Sequence, residues 1–287
     1  MKNALLPQND QRQLEKKFNP KLNELPAFHL SQPYFPVDLD LLHKEIATSN
    51  QANFKEEIYA ILPYGKHYTQ SFIIYKDTIR EVDNSANLLA EKFLKQHLHM
   101  EMESYKKTMK VFLNKNIHTM PIANHDFSLV PFSLDFRPTT YSWINPGKIK
   151  ELFFKANNAR TIIQLTNCFN IEIDRQQRAI LNRMKRGFLI HGIVKRDIEN
   201  QPINVTMNLL EYLGISSTRI TRKVTRDVQY QHIPGFANDF YQKYQEIHDA
   251  MVIEKYFNEN FLPKKMKAIN KNELCDHHHH KAHFFKV

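Results

Sequence analysis

Between Asp174 and Gly187 the chain reads DRQQRAILNRMKRG, and this stretch constrains the fold more than any other. Asp174 can accept a hydrogen bond from a backbone N–H of a helix start, and Gln177 three residues later completes a capping box. Gly187 stands where a helix leaves through a left-handed residue. At about 100° per residue, Ile180, Leu181 and Met184 share one arc. Arg175, Arg178, Lys185 and Arg186 share the opposite one, with Arg183 at its edge. The spacing predicts a helix docked by an oily face and turning guanidinium groups toward a polyanion, a geometry that suits nucleic acid.

Charge supports that reading. The formal net charge is +10, and it is unevenly placed. Between Arg175 and Arg226 lie Arg178, Arg183, Lys185, Arg186, Lys195, Arg196, Arg219, Arg222 and Lys223, against Asp197, Glu199 and Glu211, while the first sixty residues are close to neutral. A phosphate backbone is the partner such asymmetry favours, a solvated basic surface being the plainer alternative. At 287 residues and 42% hydrophobic content the chain can bury a core as one large domain or a domain with appendages. Cys168 and Cys275 match no metal or redox spacing, which favours a reducing, cytoplasmic compartment. The first residues lack the apolar core of a signal peptide, and no run approaches the ~20 apolar residues of a membrane span.

The expected class is α+β: antiparallel strands with packed helices, plus a helical C-terminal extension. Four regions are expected: a loosely ordered extension over 1–55, a core over 56–200, a helical region over 201–262 and a basic, His-rich tail over 263–287. The extension carries scattered prolines and one short amphipathic pattern over 37–46. Alternation predicts a strand at 58–62 and a hairpin of 71–75 with 78–82, turning at Lys76-Asp77. Asn84 or Ser85 caps a helical stretch interrupted near 97–104. Strands follow at 119–123, 127–132, 161–166 and 170–173, the last two flanking a tight turn at 167–169, whereas 137–150 reads as a loop. A short helix is bracketed by Asn204 and Gly214. Residues 220–228 fit helix or strand, and 236–257 form a long amphipathic helix that packs on the core or pairs with another copy.

Several pieces, in this order, resemble the bacterial competence transcription factor ComK family. They are the early strand ending in Pro63, the REVDNSANLL passage, Met120-Pro121-Ile122, and Pro131 with Ser133 and Arg137. Trp143-Ile144-Asn145 with Lys148-Ile149, the strand pair through Asn167 and the RQQRAILNRMKRG helix complete the set. Together they cover a little under half the chain. Where family members carry a Gly-Ser-Ser-Tyr-x-Gly-Arg-like segment, this chain has Met102-Glu103-Ser104-Tyr105-Lys106-Lys107. The resemblance implies a transcriptional activator that binds AT-rich promoter boxes as a homo-oligomer, largely through the minor groove, and turns on DNA-uptake and recombination genes. It also implies RNA polymerase and a proteolytic adaptor as further partners.

The DNA-binding candidates are Arg137, Asn145, Lys148, Lys150, Arg175, Arg178, Arg183, Lys185 and Arg186. Each has a structural alternative. Arg137 can pair with Asp135 or stack on Trp143, itself a core anchor more than a base wedge. Asn145 can cap the turn through Pro146-Gly147, and Lys148 and Lys150 can be a solvated loop. His97, His99, Glu101 and Glu103 would converge on a metal only in a strand; in a helix His97 pairs with Glu101 and His99 with Glu103. The tail histidines 277–280 and His283 read as a polar terminus. A metal-dependent nuclease built on Asp135, Glu172 and Asp174 is the alternative function, and an RNA- or protein-binding scaffold a third. Six glycines leave little room for a phosphate-binding loop, and no nucleophile elbow is present. No cofactor and no metal are expected.

Overall fold

The computed structural model describes residues 28–29, 47–48, 51–65, 67–114, 119–134, 137–155, 160–199 and 205–260. The amphipathic pattern at 37–46, Asp135, Asn204 and the tail from 261 onward lie outside them. The class is the expected α+β. One compact unit spans residues 1–240 and a second begins at Tyr241.

The first unit holds two sheets. The larger is built on β3 (Ala60–Tyr64), β4 (Gln70–Ile74), β5 (Ile79–Val82), β6 (Ile122–Ala123), β7 (Ser128–Leu134) and β8 (Arg137–Ile144). With β2 (Ala47–Thr48) its order is β2-β5-β4-β3-β8-β7-β6. The smaller runs β1-β11-β10-β9, from β1 (Phe28–His29), β9 (Ile149–Lys155), β10 (Arg160–Leu165) and β11 (Asn170–Ile173). Ladders are antiparallel except where β1 joins β11 and β2 joins β5 in parallel, two residues each. Both short strands come from the region expected to be a loose extension.

Local chemistry explains most elements. The β4–β5 hairpin closes where expected, with Tyr75 N–H on the Thr78 carbonyl at 2.9 Å. Ser85 caps α1 (Ala86–Leu98) by accepting from Leu88 N–H, and α1 ends at His99 in the left-handed region, φ 55°. After that interruption comes α2 (Met102–Leu113). The 167–169 turn forms, Asn167 Oδ1 accepting from Phe169 N–H and its amide donating to the Tyr75 carbonyl at 2.8 Å. The stretch expected to be a loop at 137–150 is instead β8, a 3-10 turn over Pro146–Lys148, and the start of β9. Trp143, on β8, is a buried anchor.

The basic stretch forms α3 (Gln177–Ile198), and it does not stop at Gly187. Gly187 is a buried mid-helix notch: a Cβ there would stand 2.6 Å from Val130 Cγ2 and 3.2 Å from Pro146 Cγ. The helix continues because Phe188, Ile190, Ile193 and Val194 are all buried, a yield in apolar area that a left-handed exit would forfeit. It lies across β6 and β7 and packs on α4 (Leu209–Leu213) and α5 (Arg219–Thr225). Asn208 caps α4 and Gly214, φ 67°, ends it; a Thr218–Thr221 capping box starts α5, resolving 220–228 as mostly helix. The long helix is α6 (Asp239–Asn260). Its Phe240, still in the first unit, packs edge-on against Tyr105 and Phe112. Within the second unit Tyr244 stacks on His248.

A polar clasp fastens the far end of α3. His125, in the β6–β7 turn, has Nε2 2.7 Å from Glu199 Oε1 and Nδ1 3.0 Å from Asp126 Oδ1, so both bonds form only when the ring carries both protons. The bond to Asp126, opposed by partial burial and reinforced by Glu199, raises its pKa. His191, wholly buried, donates through Nε2 to the His125 carbonyl at 2.9 Å, and burial pushes its pKa down to about 4.

Two outcomes follow from this packing. Gly187→Ala should lower the unfolding midpoint, by about 1–3 kcal/mol for the clash, although alanine favours an open helix by about 1 kcal/mol; denaturant titration reads the sign. For the histidines, the unfolded chain binds a proton near 6.5 that folded His191 refuses until about 4, so its contribution is complete above 6.5 and falls across that window on acidification. His125 works oppositely: its contribution is complete below about 6.5 and is lost as pH rises through its raised value. Stability should therefore fall on both sides of near-neutral pH. His125→Gln should flatten the alkaline side of a denaturation series.

Candidate nucleic-acid interface

The first half of α3 is amphipathic as expected. Ile180 and Met184 are buried and Leu181 half-buried, while Arg178, Asn182, Lys185 and Arg186 are exposed on the opposite face. From Arg175 to Arg196 the chain has no carboxylate. Among the described residues, Arg178, Lys185 and Arg186 have no acidic partner. Arg178 and Arg186, eight residues apart, are separated by ~12 Å along the axis.

The start of the helix departs from expectation. Gln176 is the N-cap and makes no side-chain cap bond. Asp174 instead accepts from Arg160 Nε at 2.6 Å, and Gln177 donates to the Leu152 carbonyl at 3.1 Å. A charge-assisted bond to a guanidinium outweighs a single neutral cap bond, so the tertiary partner wins. The first turn of α3 is left without an acidic residue or a side-chain cap, which keeps its positive end open to anions.

The other candidates separate by burial. Arg183 turns inward: its Nη1 donates to the Pro131 carbonyl and its guanidinium lies 5.2 Å from the Phe132 ring centroid. Burial, with the neighbouring charges of Arg175 and Arg186, lowers its pKa from the usual guanidinium value. It closes a carbonyl of β7 just past the point where the β6 ladder ends. Arg175 is half-buried, its Nη2 3.4 Å from Ser133 Oγ. Lys148 is held by Glu57 at 2.6 Å and lies over Tyr59. Asn145 is buried, accepting from Gly147 N–H at 2.9 Å and donating to the Ile58 carbonyl at 3.1 Å, the turn-capping role. Lys150 is exposed: Glu151 pairs with Gln164 and Ile149 with Leu165, so Lys150 is the extra residue of a bulge, which turns it outward. Arg137 opens β8, and its side chain lies outside what the structure describes.

Further exposed cations lie on α5. Arg219, Arg222 and Lys223 are exposed on α5, which packs along β9, and Arg219 comes within 3.5 Å of Glu151. The basic run contained them, but the helix-or-strand ambiguity of 220–228 hid which way they pointed.

The carboxylates assigned to a nuclease are engaged otherwise. Arg160 is 3.5 Å from Glu172 and 2.6 Å from Asp174, and Asp135 lies outside the described residues. Among the described residues no three His, Cys, Asp or Glu side chains converge as a metal centre requires. The expected i, i+4 pairs near residue 100 do not form, because the helix breaks there. Glu101 instead pairs with Lys95, Glu103 with Lys107, and His97 Nε2 meets the Phe54 carbonyl. Among the described residues no helix is long and apolar enough to cross a membrane.

Comparison with protein-family models, curated proteins and solved structures finds no match to this chain. Its surface chemistry therefore carries the functional argument.

Arg183 and its neighbours should respond differently to truncation. Arg183→Ala leaves a β7 carbonyl without its donor and Phe132 uncovered, a loss of about 1–3 kcal/mol. Arg178→Ala, Lys185→Ala and Arg186→Ala should each stay within about 0.5 kcal/mol of the parent. Urea unfolding of the four variants checks the division.

Proposed function

We propose that this chain is a cytoplasmic, DNA-binding transcriptional activator that grips AT-rich promoter boxes as a homo-oligomer. The observation that carries the proposal is the outward, acid-free face of α3, where Arg178, Lys185 and Arg186 stand exposed on a helix whose other side is buried. The ordered resemblance to the ComK family supports the finer reading: competence genes as targets, the minor groove as the main surface, RNA polymerase and a proteolytic adaptor as partners.

Dimensions favour straddling over insertion. A helix ~10–12 Å across cannot enter a minor groove ~6 Å wide. Its cations, ~12 Å apart along the axis, can instead reach the phosphates that bound the groove. Sequence preference then comes from shape, because AT-rich minor grooves are narrow and strongly negative and their hydrogen-bond code is degenerate.

Anisotropy titrations with AT-rich duplex, GC-rich duplex and structured RNA over a salt series test the proposal. The AT-rich duplex should bind more than about tenfold tighter than either competitor. The triple variant Arg178→Ala/Lys185→Ala/Arg186→Ala should keep its fold, weaken binding and reduce the salt slope by about 0.9 for each phosphate no longer neutralised. Equal affinity for all three probes, or an unchanged slope in the triple variant, overturns the proposal.

A further inference from the structure

Two adjacent phenylalanines at the end of β9, Phe153 and Phe154, are 44% and 51% exposed. Alternation along a strand sends them to opposite faces. Phe154 shares its face with Leu152 and stands opposite Thr161; Phe153 stands opposite Ile162. Thr161 Oγ1 donates to the Arg175 carbonyl at 2.7 Å, and Gln177 reaches the Leu152 carbonyl. The Thr161 bond brings the entry of α3 to the Phe154 side, and the Gln177 bond holds it at the strand edge. Phe153 lies on the other face, with Ile162 and the acid-paired Arg160.

The backbone edge of β9 is closed along its first half. Thr218 Oγ1 donates to the Ile149 carbonyl at 3.0 Å, Gln177 occupies that of Leu152, and α5 lies alongside. Strand addition by another chain thus meets acceptors already bonded, and what β9 offers is its side chains. Exposed cations lie on the elements around this strand: Arg178 in the first turn of α3, Lys150 on the bulge, and Arg222 and Lys223 on α5, whereas Arg219 is drawn to Glu151 on the Phe153 face. An apolar ring among exposed cations complements a partner that is polyanionic outside and apolar between its layers. Duplex DNA has that construction, phosphates flanking stacked bases.

We propose that Phe154 is a wedge that enters the minor groove and parts a base step in the duplex gripped by α3. This rests on the DNA-binding reading above and adds to it a contact with the bases. A single ring fits where the helix cannot. The same step accounts for a preference for flexible pyrimidine–purine steps, which unstack most easily.

The test uses the full chain and an AT-rich duplex carrying a fluorescent adenine analogue at the central step and an energy-transfer pair at its ends. Binding of the parent should brighten the analogue and shorten the end-to-end distance. Phe154→Ala should abolish both signals and bind about tenfold more weakly with an unchanged salt slope, as expected when a base loses its stacking partner. Phe153→Ala should keep both signals, and Phe154→Leu, still an apolar wedge, should keep the brightening. Parent binding without brightening, or equal behaviour of Phe153→Ala and Phe154→Ala, overturns the wedge and leaves the DNA-binding reading standing. Absence of parent binding removes that reading and the wedge with it. If Phe154→Ala instead changes the oligomeric mass in light scattering while the analogue still brightens, the ring belongs to an interface between copies, and the wedge is overturned.

Discussion

The contact of α3 with β7 at Gly187 sets everything else in place. A glycine there lets the helix axis approach Val130 and Pro146 more closely than any side chain would allow. With Phe188, Ile190 and Ile193 buried beyond it and Arg183 fixed to the Pro131 carbonyl before it, the helix cannot rotate about its axis without emptying the core. The exposed arc of Arg178, Lys185 and Arg186 is therefore held in a fixed orientation before any partner arrives. Preorganisation of this kind lowers the entropy lost on binding.

Burial decides what each cation can do. Arg196 is 4% exposed and donates to the carbonyls of Ile233 and Pro234, tying the segment after α5 to the end of α3. Arg160 neutralises Asp174 and Glu172, and Lys148 holds Glu57. These cations maintain the fold. Among the described residues, exposed cations remain on the first half of α3, the β9 bulge and α5, and others stand on α1, α2 and α6.

Elements whose reasons are local were legible in the sequence. The β4–β5 hairpin, the Ser85 cap, the break between α1 and α2 and the 167–169 turn each depend on a few neighbouring residues. The ends of α3 were misread because one local signature serves two purposes. A glycine after an amphipathic run marks a left-handed exit or a notch for a neighbouring chain, and only Val130, 57 positions earlier, decides between them. Asp174 likewise suits a cap until Arg160 comes within 2.6 Å. The strands β8 and β9 went unseen for other reasons. Pro138 interrupts the first pattern; the bulge at Lys150 shifts the alternation of the second, whose Lys-Glu-Leu run also favours helix. The basic face itself was legible because helical period alone fixes which side chains share an arc. What the period could not show was that Arg183, at the edge of that arc, would be drawn inward by an open carbonyl.

Sheet edges explain why the outward surface is one of side chains and not of backbone. Unpaired strand edges invite pairing with other chains, and several strands here are covered by different devices. The two short parallel strands β1 and β2 each pair along two residues of β11 and β5. Along β9, Thr218, Gln177 and α5 occupy the edge. Past the end of the β6 ladder, α3 covers β7 and Arg183 takes its carbonyl. Where backbone acceptors are already bonded, association falls to side chains that face water, among them the exposed cations of α3 and the rings of Phe153 and Phe154. In the proposed complex, charge sets the range and rate of encounter, while the Phe154 ring adds a contact only at close approach. That ordering fits the proposed role, in which the protein first finds DNA of any sequence and then discriminates among sites by how readily they deform.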